Sequence, residues 1–318
     1  MTVLMAGVDL GGTKIQTVVL RSQEVIGSCR VATPASGSAA VIAAIVESIR
    51  RSLADAGERS TELAGIGIGT PGATDPRTGI VSDSPNVPGF MDAVKLGPLV
   101  SAALGGAPAK VENDVRVAML GEHTRGAARP YCDVLGVFIG TGVGGGLVFD
   151  GKLRDGRGAA GEIGHTIVSP GGRMCSDGRR GHLEAYAGRG RMEARARNLV
   201  KKGKKTALFD LMRARGKPRL TSGVFAEALA GKDRMTIALI DDAVWALAIA
   251  LASAQNLLDL EAIIIGGGLG DRLGQPFVER IQAAMAPLLF VPTNAPVMLT
   301  SELGDLSGAI GAAILVGG

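Results

Sequence analysis

Aromatic side chains are scarce in this chain of 318 residues: one Trp, two Tyr and seven Phe make up 3% of it. A platform for stacking a ring is therefore weakly represented, and its one candidate, Phe90, is better accounted for by core packing. Cysteine is scarce as well. Cys29, Cys132 and Cys175 form no paired framework, so a reducing cytoplasm is the expected location, and no charged-then-apolar leader precedes the first strand. The longest apolar run, 243–254, is too short for a bilayer and is followed by Gln255, Asn256, Asp259 and Glu261. It is expected to be a core helix, with no membrane partner. Charge of one sign is also lacking: 34 Lys and Arg against 30 Asp and Glu leave +4, and the basic residues are dispersed apart from Lys201-Lys202-Gly203-Lys204-Lys205. This balance favours a small anionic ligand over nucleic acid.

Glycine is abundant, with 48 residues, and 46% of the chain is hydrophobic, enough for two cores. The glycines cluster after apolar runs, where they serve turns. Two such places are versions of one another: Gly7-Val8-Asp9-Leu10-Gly11-Gly12-Thr13-Lys14, and Gly136-Val137-Phe138-Ile139-Gly140-Thr141-Gly142-Val143-Gly144-Gly145-Gly146. Each reads as a strand, a glycine turn and a returning strand, over 3–20 and 134–149. Helices are expected over 39–53 and 115–124, strands over 63–68, 110–112 and 262–265, and a small-residue helix over 307–316. Alternating strands and helices with an early duplication predict an α/β architecture of two related halves. A small domain, 1–118 completed by 305–318, and a large domain, 119–304, are expected.

Glycine turns expose successive N–H groups that can cradle an anion. With Asp9 on the strand before it, the first turn suits a phosphate and a Mg²⁺ ion held through water. A tight hairpin with an incidental aspartate is the alternative. The second turn has Phe138 where the first has Asp9, so the metal belongs to one turn only. Gly266-Gly267-Gly268 after a buried strand is a third close-approach site, suited to the flat face of an adenosine. Glu112-Asn113-Asp114 places a carboxylate at a strand-to-helix corner, where Asp114 can accept a sugar hydroxyl's proton during attack on a phosphoryl group. A plain helix cap is the competing account. Asn86, Asn113, Glu162, His165 and Glu184 are the amides and acids that bracket vicinal hydroxyls.

In order and spacing, Asp9 to Lys14, Glu112-Asn113-Asp114, Gly140 to Gly146 and Glu162-Ile163-Gly164-His165 resemble the ROK family of sugar kinases and repressors, over essentially the whole chain. The resemblance implies an actin-like, ribonuclease H-like duplicated fold of hexokinase type, two domains flanking a central cleft that closes on sugar and ATP. It implies Asp114 as general base and Gly72, Asn86, Asn113, Asp114, Glu162, His165 and Glu184 as sugar contacts. Nucleotide contacts would be Asp9, Gly11, Gly12, Thr13, Lys14, Thr141, Gly142, Gly267 and Gly268. The family's repressors carry a DNA-binding helix-turn-helix before the first hairpin, whereas here the first strand begins within a few residues of Met1. A kinase in two or four copies is expected.

Two departures from the family pattern stand out. Val115-Arg116 replaces Ala-Asn, and Arg116 is expected to face solvent or reach an anion. The zinc motif reads Cys175-Ser176-Asp177-Gly178-Arg179-Arg180-Gly181-His182-Leu183-Glu184, with Asp and His in place of two thiolates. Both are legitimate ligands, so His165, Cys175, Asp177 and His182 form either a zinc site or a metal-free loop of the same path. The expected activity is ATP-dependent phosphorylation of glucose at its 6-hydroxyl. Alternatives are N-acetylmannosamine, mannose, fructose or allose as acceptor, a sugar-sensing regulator without catalysis, and polyphosphate as donor on Lys201–Lys205.

Overall fold

A computed structural model describes residues 3–22 and 24–317. The chain divides into two compact units: Met1–Arg129 with Asp155–Gly158 and Asp305–Gly318, and Pro130–Arg154 with Ala159–Gly304. In the first unit, β1 (Leu4–Leu10), β2 (Lys14–Arg21) and β3 (Glu24–Ala32) form an antiparallel meander. Then come α1 (Ser38–Asp55), β4 (Leu63–Thr70), a ribbon of β5 (Ala73–Asp75) and β6 (Ile80–Ser82), α2 (Leu96–Ala103), β7 (Ala109–Asn113) and α3 (Asp114–Arg125). The five-stranded sheet runs β3-β2-β1-β4-β7, with β1, β4 and β7 parallel.

The second unit repeats this plan with β8 (Val134–Ile139), β9 (Val143–Phe149) and β10 (Lys152–Leu153). Helices α4 (Glu184–Ala187), α5 (Arg189–Lys201), α6 (Leu208–Ala214), α7 (Ser222–Ala230) and α8 (Arg234–Leu258) precede β11 (Ala262–Gly266), α9 (Gly267–Met285) and β12 (Val297–Thr300). Its sheet runs β10-β9-β8-β11-β12, with β8, β11 and β12 parallel. The duplication seen in two hairpins is therefore one of entire sheets. The parallel strands lie inside their sheets with helices packed on them, which is why β4, β8 and β11 are almost continuously buried.

The last helix, α10 (Ser307–Gly317), packs on β1, β4 and α3. The approach is close enough to exclude side chains. A Cβ at Gly67 of β4 would lie 1.7 Å from the Ala312 carbonyl oxygen, and one at Gly311 1.7 Å from that of Val117 in α3. This seam keeps α3 whole in the first unit, so the expected cut after residue 118, which falls inside α3, moves to Arg129. Residues 155–158, expected in the large domain, also join the first unit.

The apolar run 243–254 lies within α8, which at 25 residues is long and apolar enough to cross a membrane, contrary to the expectation from the run alone. Burial decides its role: 67% of its apolar window is inside the second unit, against residues such as Phe225 and Ile263. Strands β3 and β12 and helices α2 and α9 carry weaker signals. β3 alternates with Glu24, Ser28 and Arg30 in exposed places. α9 begins with glycines, contains Pro276 and is kinked at Gly274 (φ 60°), all of which read as helix breakers.

Because the seam has no room for a methyl group, Gly67→Ala is expected to destabilise the protein by about 2–4 kcal/mol. Urea unfolding checks this; a midpoint equal to wild type would contradict it.

Candidate active-site residues

In the first unit the turn after β1 is closed by the Gly11 N–H donating to the Lys14 carbonyl at 2.9 Å. A Cβ on Gly12 would lie 2.2 Å from the Asn86 carbonyl oxygen, so the loop 84–90 rests on the turn. Gly72, at φ 107°, follows β4, and a Cβ there would lie 2.7 Å from Ser82 O. Thr13 is exposed. Lys14 is engaged by a residue the motifs did not mark: its Nζ donates to Asp305 Oδ1 at 2.7 Å, while Arg30 Nη2 reaches Oδ2 at 2.9 Å. Phe90 is fully buried in the core.

Asn113 is the N-cap of α3, its Oδ1 accepting from the N–H groups of Val115 (3.0 Å) and Arg116 (3.3 Å). The cap role thus falls to Asn113, and Asp114 is the first helical residue, with Oδ1 accepting from Val115 N at 3.0 Å. Asp9 packs against the first turn of α10, where a Cβ on Gly308 would lie 2.9 Å from its Cγ. Burial, then the charge of Asp114, push the Asp9 pKa up to about 7, against weaker pulls from Lys14 and Arg30. Two carboxylates that repel one another at a strand end suit a hard divalent cation, and Mg²⁺ fits them.

Arg116 takes the second of its two expected courses. It is buried, so it does not face solvent, and the anion it reaches belongs to the chain itself. Its Nε lies 3.4 Å from Glu112 Oε1, its Nη1 donates to the Asp155 carbonyl at 3.3 Å, and its Nη2 pairs with the Asp155 carboxylate. That clamp holds 155–158 in the first unit.

In the second unit the last paired residues of the hairpin, Ile139 and Val143, enclose three residues, against four between Leu10 and Ile15 in the first, and Gly140 N donates to Gly142 O at 2.9 Å. A Cβ on Gly142 would lie 2.2 Å from Glu184 Oε2, which accepts from Val143 N at 3.1 Å. The other oxygen, Oε1, accepts from the Ser176 hydroxyl and lies 3.5 Å from Cys175 Sγ. Glu184 therefore ties the glycine turn to the 175–182 loop. Phe138 packs beside Gly266, so no carboxylate stands where Asp9 does in the first unit. Gly267, at φ 78°, opens α9 against Ile139, and Gly268 faces Ser222 Oγ.

His165, Cys175, Asp177 and His182 converge, with one ligand atom of each within 4.8 Å of the others. The His165 Nδ1 to His182 Nδ1 distance is 3.4 Å, and Asp177 Oδ2 is 3.4 and 3.3 Å from them. Ligands about 2.1 Å from a tetrahedral zinc are spaced by about 3.4 Å, so the set fits the ion. Burial opposes ionisation of Asp177, but the Arg179 N–H, Cys175 and both imidazoles outweigh it and hold the carboxyl below its usual range. Burial pushes the Cys175 thiol up, so a metal would have to displace its proton. His165 Nε2 points the other way, 3.9 Å from Glu162 Oε2.

The raised pKa of Asp9 has a consequence for stability. Below about pH 4 the carboxyl is protonated in both states; as pH rises toward 7 the unfolded chain ionises first and stability falls. Asp9→Asn is therefore expected to stabilise the free protein by roughly 1–3 kcal/mol at pH 8 and by less as pH falls. Melting curves across pH 4–8 check this; an unchanged melting temperature at pH 8 would contradict it.

A family model described as ROK family matches residues 5–318. A glucokinase of Thermotoga maritima is 34% identical over 320 residues, 98% of this chain and 96% of that protein. An N-acetylgalactosamine kinase of a Shewanella species is 31% identical, covering 97% of this chain and 95% of its own. The solved structure of a ROK family glucokinase from Streptomyces griseus, in complex with glucose and AMPPNP, is similar with a TM-score of 0.82 at 29% identity over 98% of each chain.

Proposed function

The chain belongs to the ROK family, and from that premise we propose that it is a sugar kinase that transfers the γ-phosphoryl group of ATP to the 6-hydroxyl of glucose. The observation that carries this reading is the placement of Asp114 at the first turn of α3, beside the raised Asp9 carboxylate. In the proposed step Asp114 accepts the hydroxyl proton as the sugar oxygen bonds to the γ-phosphorus. The bond to the β–γ bridging oxygen breaks, and ADP leaves. Mg²⁺, held through water at Asp9, would neutralise charge on the phosphates.

The remaining roles follow the same reading. Gly72, Asn86, Asn113, Glu162, His165 and Glu184 contact the sugar. Gly11, Gly12, Thr13 and Lys14, with Thr141 and Gly142, contact the phosphates; Gly267 and Gly268 contact the nucleoside. The similarity to an N-acetylgalactosamine kinase supports a second acceptor class, the N-acetylhexosamines, since epimers differ by few hydrogen bonds.

A panel of hexoses and N-acetylhexosamines with ATP, read as sugar-dependent ADP formation, tests the reading; no activity with any sugar would sink it. Asp114→Ala is expected to lower kcat by about 10²–10⁴-fold in a protein that still unfolds cooperatively. If the variant retains wild-type kcat, Asp114 is not the base.

We also assign a structural zinc ion to His165, Cys175, Asp177 and His182. Nδ1 of His165 would face the metal and leave Nε2 toward Glu162 for the sugar, so the ion would set the ring's orientation. Protein purified without chelator or a His tag is expected to carry one zinc per chain. Its removal should raise the sugar KM more than the ATP KM; metal-free protein with full activity would overturn the assignment.

A further inference from the structure

The start of α5 is stitched to the second glycine turn. Backbone N–H groups of Arg189 and Gly190 donate to the carbonyls of Gly140 and Thr141 at 3.1 and 2.8 Å. The Arg189 guanidinium spans two acceptors: Nη2 donates to Thr141 Oγ1 and Nη1 to the Leu220 carbonyl, each at 3.0 Å. Its Nε is buried without a hydrogen-bond partner.

No carboxylate among the described residues stands within ion-pair distance of Arg189. The nearby acid, Glu193, is committed elsewhere: it pairs with Arg197 at 2.6 Å and Arg219 at 3.4 Å and accepts the Leu220 N–H at 3.2 Å. Burial, and then Arg219, pull the Arg189 pKa down while Glu193 opposes them. A half-buried cation with no ion-pair partner, pressed on a glycine turn, is a site that an anion completes. Beside Gly190 a cavity of about 360 Å³ opens, lined by Glu193, Arg197 and Arg219 among others.

We propose that Arg189 is a binding residue for the phosphoryl donor: it holds the Thr141 hydroxyl in place and supplies positive charge to the donor's phosphates, beside the open cavity at Gly190. This rests on the reading of the chain as an ATP-dependent kinase. The planar fork of arginine suits the task because it grips two acceptors in a fixed geometry, whereas the donors of a lysine rotate about one point charge.

The test compares Arg189→Gln, Arg189→Lys and Arg195→Gln, the last an exposed charge on the same helix, in the full-length protein. Loss of one charge-assisted contact predicts a rise of about tenfold to a hundredfold in the ATP KM of Arg189→Gln. A parallel rise in the Kd for ADP by calorimetry is expected, with the hexose KM within about twofold of wild type. Arg189→Lys should recover part of the loss, and Arg195→Gln should match wild type. An active wild type with unchanged nucleotide constants in Arg189→Gln would overturn the inference and leave the kinase reading standing. Equal losses in both KM values, or an equal loss in Arg195→Gln, would also overturn it. A wild type that neither forms ADP nor binds it would overturn both. Should Arg189→Gln not fold, Arg189→Met, which keeps the apolar stem, carries the same measurement.

Discussion

Direct backbone contact between α10 and the elements β1, β4 and α3 is the constraint on which the first unit depends. Where a Cβ would meet a carbonyl at 1.7 Å, only glycine fits, and helix and sheet lock without a layer of rotamers between them. The end of β1 and the first turns of α3 and α10 are thereby brought together. Asp9 and Asp114 sit at those ends, and their mutual charge and burial follow from the seam rather than from any motif. A chain segment that begins at Asp305 thus completes the surroundings of a residue at position 9, with Asp305 itself bound to Lys14 and Arg30.

The second unit uses the same sheet plan for different chemistry. Its counterpart of Asp9 is Phe138, an apolar residue packed beside Gly266, so charge there comes from outside the strand. Glu184 supplies it from the start of α4, reaching the N–H of Val143 on one side and Ser176 on the other. Held by a backbone donor and a hydroxyl, this buried carboxylate makes the glycine turn and the 175–182 loop one structure. The replacement of two thiolates by Asp177 and His182 leaves a set of four donors at distances a small cation can bridge.

Periodicity and glycine placement made much legible: both hairpins, helices α1 and α3, strand β11 and α10 lie where the pattern put them. The motif residues were equally visible, because chemistry that needs bare backbone N–H groups requires glycine and announces itself. Less visible were elements whose signals conflict. α9 hides behind Gly267, Gly274 and Pro276, and β3 behind its polar alternation. Which anion Arg116 reaches was hidden for a related reason: an arginine carries no mark of its partner, and Asp155 is 39 residues away.

The amino-acid sequence by itself determined the α/β class, the duplication, the family, and the residue types at each turn, since these depend on local period and on positions where only one side chain fits. Tertiary structure alone decided which charges meet. The pairing of Lys14 with Asp305, the clamp of Arg116 on Asp155, the raised Asp9 and the grip of Arg189 on Thr141 all join residues far apart in the chain. Their strength depends on burial and distance, quantities that exist only once the backbone has closed on itself.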